Sequence, residues 1–304
     1  MNKKSILKPW QKSFKSKWKY VLLVLPSLFF YFLFGIYTDL AVLPLSLYKW
    51  SPISPEREFV GLHNYIMMFT VNLDKTVEMA LNTLIYVGGL FVIQTTLALF
   101  FSILLQKNTR KNKFFRAYFF LPMVFSSTMV SMTWNFMYDP NLGIINNILG
   151  LMGVEGYPGV NFMDEGWKAI ILIVLVHIWA NFGYPLTILT SGLNTISGDL
   201  GEAAIVDGAN AWQTFIHITF PLLLPTLFRM TLMTISTGVM ATDYIYMMGT
   251  KESHTWASYM YDQTRGGFDY GMVSATGVLM FVVLALTTII QFVTMRKIEN
   301  KVLG

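Results

Sequence analysis

Long apolar runs without a charged residue alternate with short polar connections along this chain. Residues 20–38, 82–106, 117–138, 169–198 and 270–295 contain no Asp, Glu, Lys or Arg. A shorter run at 230–242 continues over 244–250 beyond Asp243. A helix needs about 20 apolar residues to cross the hydrocarbon core of a bilayer. The pattern therefore predicts six crossings and an all-α transmembrane fold. Pro26, Pro122 and Pro185 fall inside these runs or near their starts, where neighbouring helices tolerate kinks.

Charge orients the crossings. Fifteen of the 22 basic residues lie in three stretches: Lys3 to Lys19, Lys107 to Arg116, and Arg296 to Lys301. The alternate connections hold six basic residues and twelve of the 17 acids. By the bias of Lys and Arg toward the cytoplasmic side, both termini are expected inside, which six crossings require. Three parts are predicted: a basic cytoplasmic segment 1–19, a six-span domain 20–295, and a cytoplasmic tail 296–304. The basic front followed by an apolar run is read as an uncleaved first span, because no small-residue cleavage site follows.

Composition agrees. The chain is 54% hydrophobic and 13% charged, about half the charge of an average soluble domain, and its mean hydropathy is +0.50. There is no cysteine, which excludes disulfides and thiolate metal sites. The net charge of +5 is spent on orientation, so no nucleic-acid partner is implied.

The connection over 193–228 breaks the pattern. It is cytoplasmic by parity, yet Arg229 is its first basic residue. Within it stands EAAIVDGANAWQTFIHITFPLLLP, residues 202–225. Asp199 can cap a short helix with Glu202 three residues on, Gly208 suits a left-handed helix end, and a second helix starts at Asn210 and ends before Pro221. The first helix is about 13 Å long, too short to be stable alone.

Glu202, Ala203, Ala204, Asp207, Gly208, Ala209, Phe215, Ile218, Pro221 and Pro225 resemble the EAA loop of ABC-importer permeases, in the form found in the carbohydrate-uptake branch. Four further segments are similar to that family in order and spacing: FVGLHNYIMMF (59–69), NTLIYV (82–87), FFRAYFFLPMVFSS (114–127) and MYDPNLGIINNIL (137–149). The resemblance implies a type I importer permease fold in a bacterial cytoplasmic membrane. It implies four kinds of partner: a second homologous permease, two cytoplasmic ATPase subunits that bind ATP and Mg, an extracytoplasmic solute-binding protein, and a carbohydrate. It assigns ATPase coupling to Glu202, Ala203, Ala204, Asp207, Gly208, Ala209, Phe215 and Pro221. The family often has a G-G-P turn after span five; Met248-Gly249-Thr250-Lys251 stands here instead.

The chain carries no G-x-x-x-x-G-K-[ST] phosphate loop, so ATP hydrolysis by that route and any cofactor of its own are not expected. Two rival classes are weaker. An ion-coupled carrier wants intramembrane charges, and only Asp39, Asp243 and Arg229 are candidates. An intramembrane enzyme wants acids or a Ser/His/Asp set at one depth, which the spacing does not supply. His177, the one histidine inside a span, suits packing or hydrogen bonding. The resemblance places the solute between the spans flanking the loop. There Trp179, Asn181, Tyr184, Thr187, Thr237 and Asp243 supply aromatic faces, an amide, hydroxyls and a carboxylate, all suited to a sugar. A polyol, glycerol phosphate or peptide is the alternative cargo.

Overall fold

Each uncharged run is mainly helical, because hydrocarbon offers no partner to a backbone N–H or C=O and a helix satisfies both internally. The computed structural model describes residues 22–54, 56–154, 156, 159–164, 166–267 and 269–302. The expected basic segment 1–19 lies outside the described residues. Helix α1 is Leu22–Leu45. A two-stranded antiparallel hairpin follows, β1 (Tyr48–Lys49) with β2 (Glu58–Phe59), and then α2 (His63–Phe69). Next come α3 (Leu73–Leu104), α4 (Arg110–Phe120), α5 (Ser127–Tyr138) and α6 (Ile144–Leu151). Helices α7 (Gly166–Asn181) and α8 (Gly183–Leu193) meet at 55°. The chain ends through α9 (Gly198–Val206), α10 (Ala211–Val239), α11 (Asp243–Met248), α12 (Trp256–Asp262) and α13 (Tyr270–Val302).

Among the described residues α1, α3, α10 and α13 are long and apolar enough to cross a membrane, and α7 with α8 makes a fifth crossing if the bent pair is one span. The predicted span 117–138 is not one helix. After α4, Pro122 lies in a 3-10 turn (Leu121–Val124), Phe125 is extended, and Ser126 opens α5 by accepting from the Met129 N–H. The fifth crossing also differs from expectation. The second loop helix does not end before Pro221, nor does a new span begin near Met230. One helix, α10, runs through Pro221 and Pro225. A π-helical turn (Phe215–Thr219) ends two residues before Pro221. It loosens the hydrogen-bond ladder where the proline ring would otherwise meet the carbonyl four residues back. Helix α10 stops at Val239, and Asp243 opens α11 after a break, so Asp243 does not lie on a straight continuation of α10.

The core lies where α3, α7, α8 and α10 meet. Tyr86, Leu90, Ile173, Leu186, Leu189 and Leu223 are fully enclosed there. Small residues set the spacing, as is common between membrane helices. A Cβ on Gly192 would stand 2.7 Å from Thr226 Cγ2, and one on Gly183 would stand 2.5 Å from Phe120 Cα. By contrast the apolar window of α1 is 0% buried and that of α13 is 6% buried, which leaves both to lipid or another chain.

Three buried asparagines hold the connections on the opposite side from α9. Asn64 donates to Ser46 O (2.8 Å) and Tyr48 O (3.0 Å). Asn82 donates to Glu252 O (2.8 Å) and His254 O (3.0 Å). Asn146 donates to Asp139 O (3.2 Å) and Val160 O (3.0 Å), and accepts from the Val160 N–H. Each sits inside one of the segments that carried the family resemblance. The side chain of Asp139 accepts from the N–H groups of Leu142 and Asn141, which hold its carboxyl below the ordinary carboxylate value.

Candidate coupling surface and pathway lining

Ser197, two residues before the expected Asp199, caps α9. Its Oγ accepts from the Asp199 N–H at 3.3 Å and lies 3.1 Å from Asp199 Oδ2. Serine's short side chain reaches the first free N–H, and this moves the helix start to Gly198. The other end is as expected. Gly208 takes φ +85°; its N–H donates to Ile205 O at 3.0 Å, and the Ala209 N–H donates to Ala204 O at 2.9 Å. This is a Schellman closure, which satisfies the last carbonyls of the helix. Asn210 then caps α10. Its side chain accepts from the Gln213 N–H at 2.9 Å, while Gln213 Oε1 accepts from the Asn210 N–H at 2.8 Å.

The loop is therefore locally closed but outwardly open. Glu202, Ala203, Asp207 and Gly208 are exposed, Ala204 is buried, and Ala209, Phe215 and Pro221 are half-buried. Three apolar side chains stand out: Val206 is 86% exposed, Trp212 69% and Ile205 68%. Exposed apolar surface rimmed by polar groups marks an interaction site. Here the rim is acidic, through Glu202 and Asp207.

The lining candidates fall into two groups. In the first, Asn181 donates to Tyr244 Oη and to His177 O, both at 3.1 Å. His177 Nδ1 and Tyr86 Oη are hydrogen-bonded at 2.7 Å, and the His177 ring lies 5.0 Å from that of Tyr244. His177 thus has the hydrogen-bonding role its position suggested. Next to Tyr244, Asp243 accepts from Ser127 Oγ at 2.6 Å, and Asn135 donates to Met247 O at 2.7 Å. Short α11 is tied by side chains of α5 and α7. Trp179 packs edge-on to Trp134, centroids 5.6 Å apart.

The second group joins α8 to α10. Tyr184 Oη donates to Met233 Sδ at 3.0 Å. Thr237 donates to Met233 O at 2.9 Å, and Thr187 donates to Gly183 O at 2.7 Å. The threonine hydroxyls are bonded within their own helices, as membrane hydroxyls often are. Trp179, Tyr184, Thr187, Thr237 and Asp243 are all exposed, whereas Asn181 is half-buried. They offer exposed ring faces, hydroxyl lone pairs and one carboxylate. Among the described residues no three His, Asp or Glu groups are placed to hold a metal ion.

Sequence reasoning missed Ser127, Asn135, Met233 and Tyr244. Ser127 and Asp243 are 116 positions apart, and no local pattern connects them. The one available signal was a polar residue inside an apolar run.

Residues 94–302 match the family described as binding-protein-dependent transport system inner membrane component. The chain is 30% identical over 275 residues to the trehalose/maltose transport system permease protein MalF of Thermococcus litoralis, covering 88% of this chain and 90% of that one. It is 27% identical over 297 residues to the sn-glycerol-3-phosphate transport system permease protein UgpA of Escherichia coli, covering 95% and 97%. Its fold is similar to that of a chain in the crystal structure of a bacterial alginate ABC transporter in complex with an alginate pentasaccharide-bound periplasmic protein. That match has TM-score 0.82 and 19% identity, and covers 96% of this chain and 98% of the other.

Proposed function

The chain belongs to the family of binding-protein-dependent transport system inner membrane components, and on that premise we propose that it is one of two permease subunits lining the path of an ATP-driven importer for a sugar or oligosaccharide. As a multi-pass permease component it is not a catalytic subunit. Cytoplasmic ATPase partners bind ATP and Mg and hydrolyse the nucleotide, and this chain binds neither. An extracytoplasmic solute-binding protein delivers the cargo. The observation that carries the reading is α9. It is a capped nine-residue helix whose apolar tip has no cover among the described residues and whose rim is acidic. Such a helix needs a groove, and a groove with basic edges on an ATPase subunit suits it. Glu202 and Asp207 meet those edges, Ala203 and Ala204 keep the helix thin, and Gly208 turns the chain back into α10. Phe215 and Pro221 begin the span that carries the motion onward.

In this reading both termini, α4 and α9 face the cytoplasm, while Asn82, Asn146 and the 249–255 connection face outward. Single cysteines test this directly, because the chain has none. A cysteine at exposed Lys251 should react with an impermeant reagent in intact cells, and one at exposed Asp199 should not. Labelling of the second position from outside sinks the topology. The transport reading is tested in proteoliposomes with the partner permease, ATPase subunits and binding protein. Labelled sugar should accumulate only when all are present with ATP inside; uptake without the ATPase subunits refutes it. A second reading, glycerol phosphate as cargo, is favoured by the near full-length similarity to UgpA. Competition between sugars and glycerol phosphate in the same assay decides between them.

A further inference from the structure

Helix α4 carries a surface that neither the transport path nor the coupling turn uses. Residues three apart fall along one side of a helix, so Arg110, Lys113 and Arg116 form a basic stripe. Phe114, Phe115 and Tyr118 occupy the adjoining side, and Phe114 and Tyr118 are more than 60% exposed. Phe119 points inward, with its ring 5.1 Å from Phe101 and 5.2 Å from Phe182. Thr109 caps the helix by accepting from the Asn112 N–H, so the stripe begins on an ordered turn. Among the described residues no acid pairs with Arg110, Lys111, Lys113 or Arg116.

We propose that α4 is a binding site for anionic phospholipid headgroups in the leaflet that holds the coupling turn, with Arg110, Lys113 and Arg116 on the phosphates and Phe114 and Tyr118 seated among the upper acyl chains. The choice of lipid over protein follows from the arrangement. Cations sit beside exposed aromatics at the point where a charged connection enters an apolar run, which is the composition of a membrane interface. An acidic protein face would match the cations and leave the aromatics bare. The inner side of α4 gives the site a consequence. Phe119 packs on Phe182, and Phe120 Cα lies where a Cβ on Gly183 would clash. These contacts fall at the 55° bend between α7 and α8, and α8 leads into α9 after residues 194–197. A headgroup held on α4 therefore steadies the bend from which the coupling turn hangs. The leaflet assignment rests on the orientation in the proposed function; the lipid contact itself does not.

The test uses the assembled transporter in vesicles of phosphatidylcholine, alone or mixed with phosphatidylglycerol, plus a photoreactive phosphatidylglycerol. Crosslinked peptides should map to residues 110–120, and raising the salt should lower the yield in the wild-type chain. In the triple variant Arg110→Gln, Lys113→Gln, Arg116→Gln the yield should fall at least about tenfold and up to about a hundredfold, since each cation near an anionic surface is worth roughly a fivefold change in partition. Phosphatidylglycerol should speed wild-type transport severalfold and the triple variant little, the two chains being equal in phosphatidylcholine alone. A Lys3→Gln, Lys4→Gln, Lys8→Gln variant should behave as wild type. Undiminished crosslinking in the α4 variant overturns the proposal, as does equal loss in the N-terminal variant. Loss of ATPase association by the α4 variant in lipid-free detergent also overturns it, by making a protein face the occupant. A chain that crosslinks as expected but transports no sugar leaves this site standing and removes only the cargo assignment.

Discussion

The connections held by buried asparagines and the turn at α9 solve the same problem, an irregular backbone at the ends of apolar helices, in opposite ways. In the former, Asn64, Asn82 and Asn146 are buried and give both amide hydrogens to carbonyls of other segments. Those loops are finished within the chain. At α9 every hydrogen bond is local, a cap at one end and a glycine closure at the other, and Ile205, Val206 and Trp212 are left bare. One side keeps its shape by tertiary contacts and the other by backbone rules alone. The difference predicts that damage to the asparagine-held connections reads as lost stability and, in the proposed function, that damage at α9 reads as lost coupling.

Gly208→Trp should break the turn most completely. Its φ of +85° is strained for any side chain, and the ring would stand in the docking groove. Loss on the order of 2 kcal/mol at an interface hot spot corresponds to a transport rate down by about thirtyfold; because the exposed turn is bonded only locally it can open by itself, so insertion and the melting temperature of the spans should change little. Glu202→Lys should act in the same direction more weakly. A large drop in melting temperature with coupling intact would erase the distinction. Next in size is Asn82→Leu, which leaves the carbonyls of Glu252 and His254 unpaired. A cost of about 2–3 kcal/mol should lower the melting temperature by several degrees while ATPase association persists. Asp243→Asn sharpens the lining assignment, because it keeps the acceptor for Ser127 and removes the charge. We expect altered transport or sugar ranking with stability held within about 0.5 kcal/mol; a destabilised complex with unchanged ranking would make Asp243 a packing residue. The corresponding substitution Ser127→Ala should move both readouts slightly.

The smallest effect is a pH dependence of the connection that carries His254. Burial holds His254 below its ordinary value of 6.5, with Asp262 and Glu252 opposing and Lys75 and Lys251 assisting. The folded state then binds its proton less readily than the unfolded chain. The stability contributed by neutral His254 is present above pH 6.5 and is lost as pH falls through the lowered value. His254→Gln should flatten that slope in acid thermal melts, and a slope unchanged by the substitution would assign it elsewhere.

Elements governed by local rules were legible in the sequence. Gly208 and Asn210 marked the turn and the second helix start correctly, because a left-handed glycine and a side-chain cap are decided within four residues. Ser197 displaced Asp199 for an equally local reason, two eligible caps lying two residues apart. The prolines misled. In water, Pro221 and Pro225 would be fair stop signals, but next to hydrocarbon a backbone that leaves the helix has nowhere to bond, so α10 continues behind its π-helical turn. The break at Pro122 was hidden for the converse reason: no charge marks it. Of the lining, Asn181 and Asp243 stood out as polar groups in apolar runs. Their partners Tyr244 and Ser127 did not, since tertiary packing alone brings them together.

The continuity of α10 makes it a lever. Its 29 residues form a rod about 43 Å long, with Trp212 at the handle and Thr237 near the far end. Tilting such a rod by about 5° displaces one end against the other by roughly 4 Å, about the width of a methylene chain. The break over 240–242 sits just beyond that end, so α11, roped to α5 and α7 by Ser127, Asn135 and Asn181, need not follow the stroke. In the proposed function, a small push at the Trp212 end would become shear across the break over 240–242, between the end of α10 and the anchored α11.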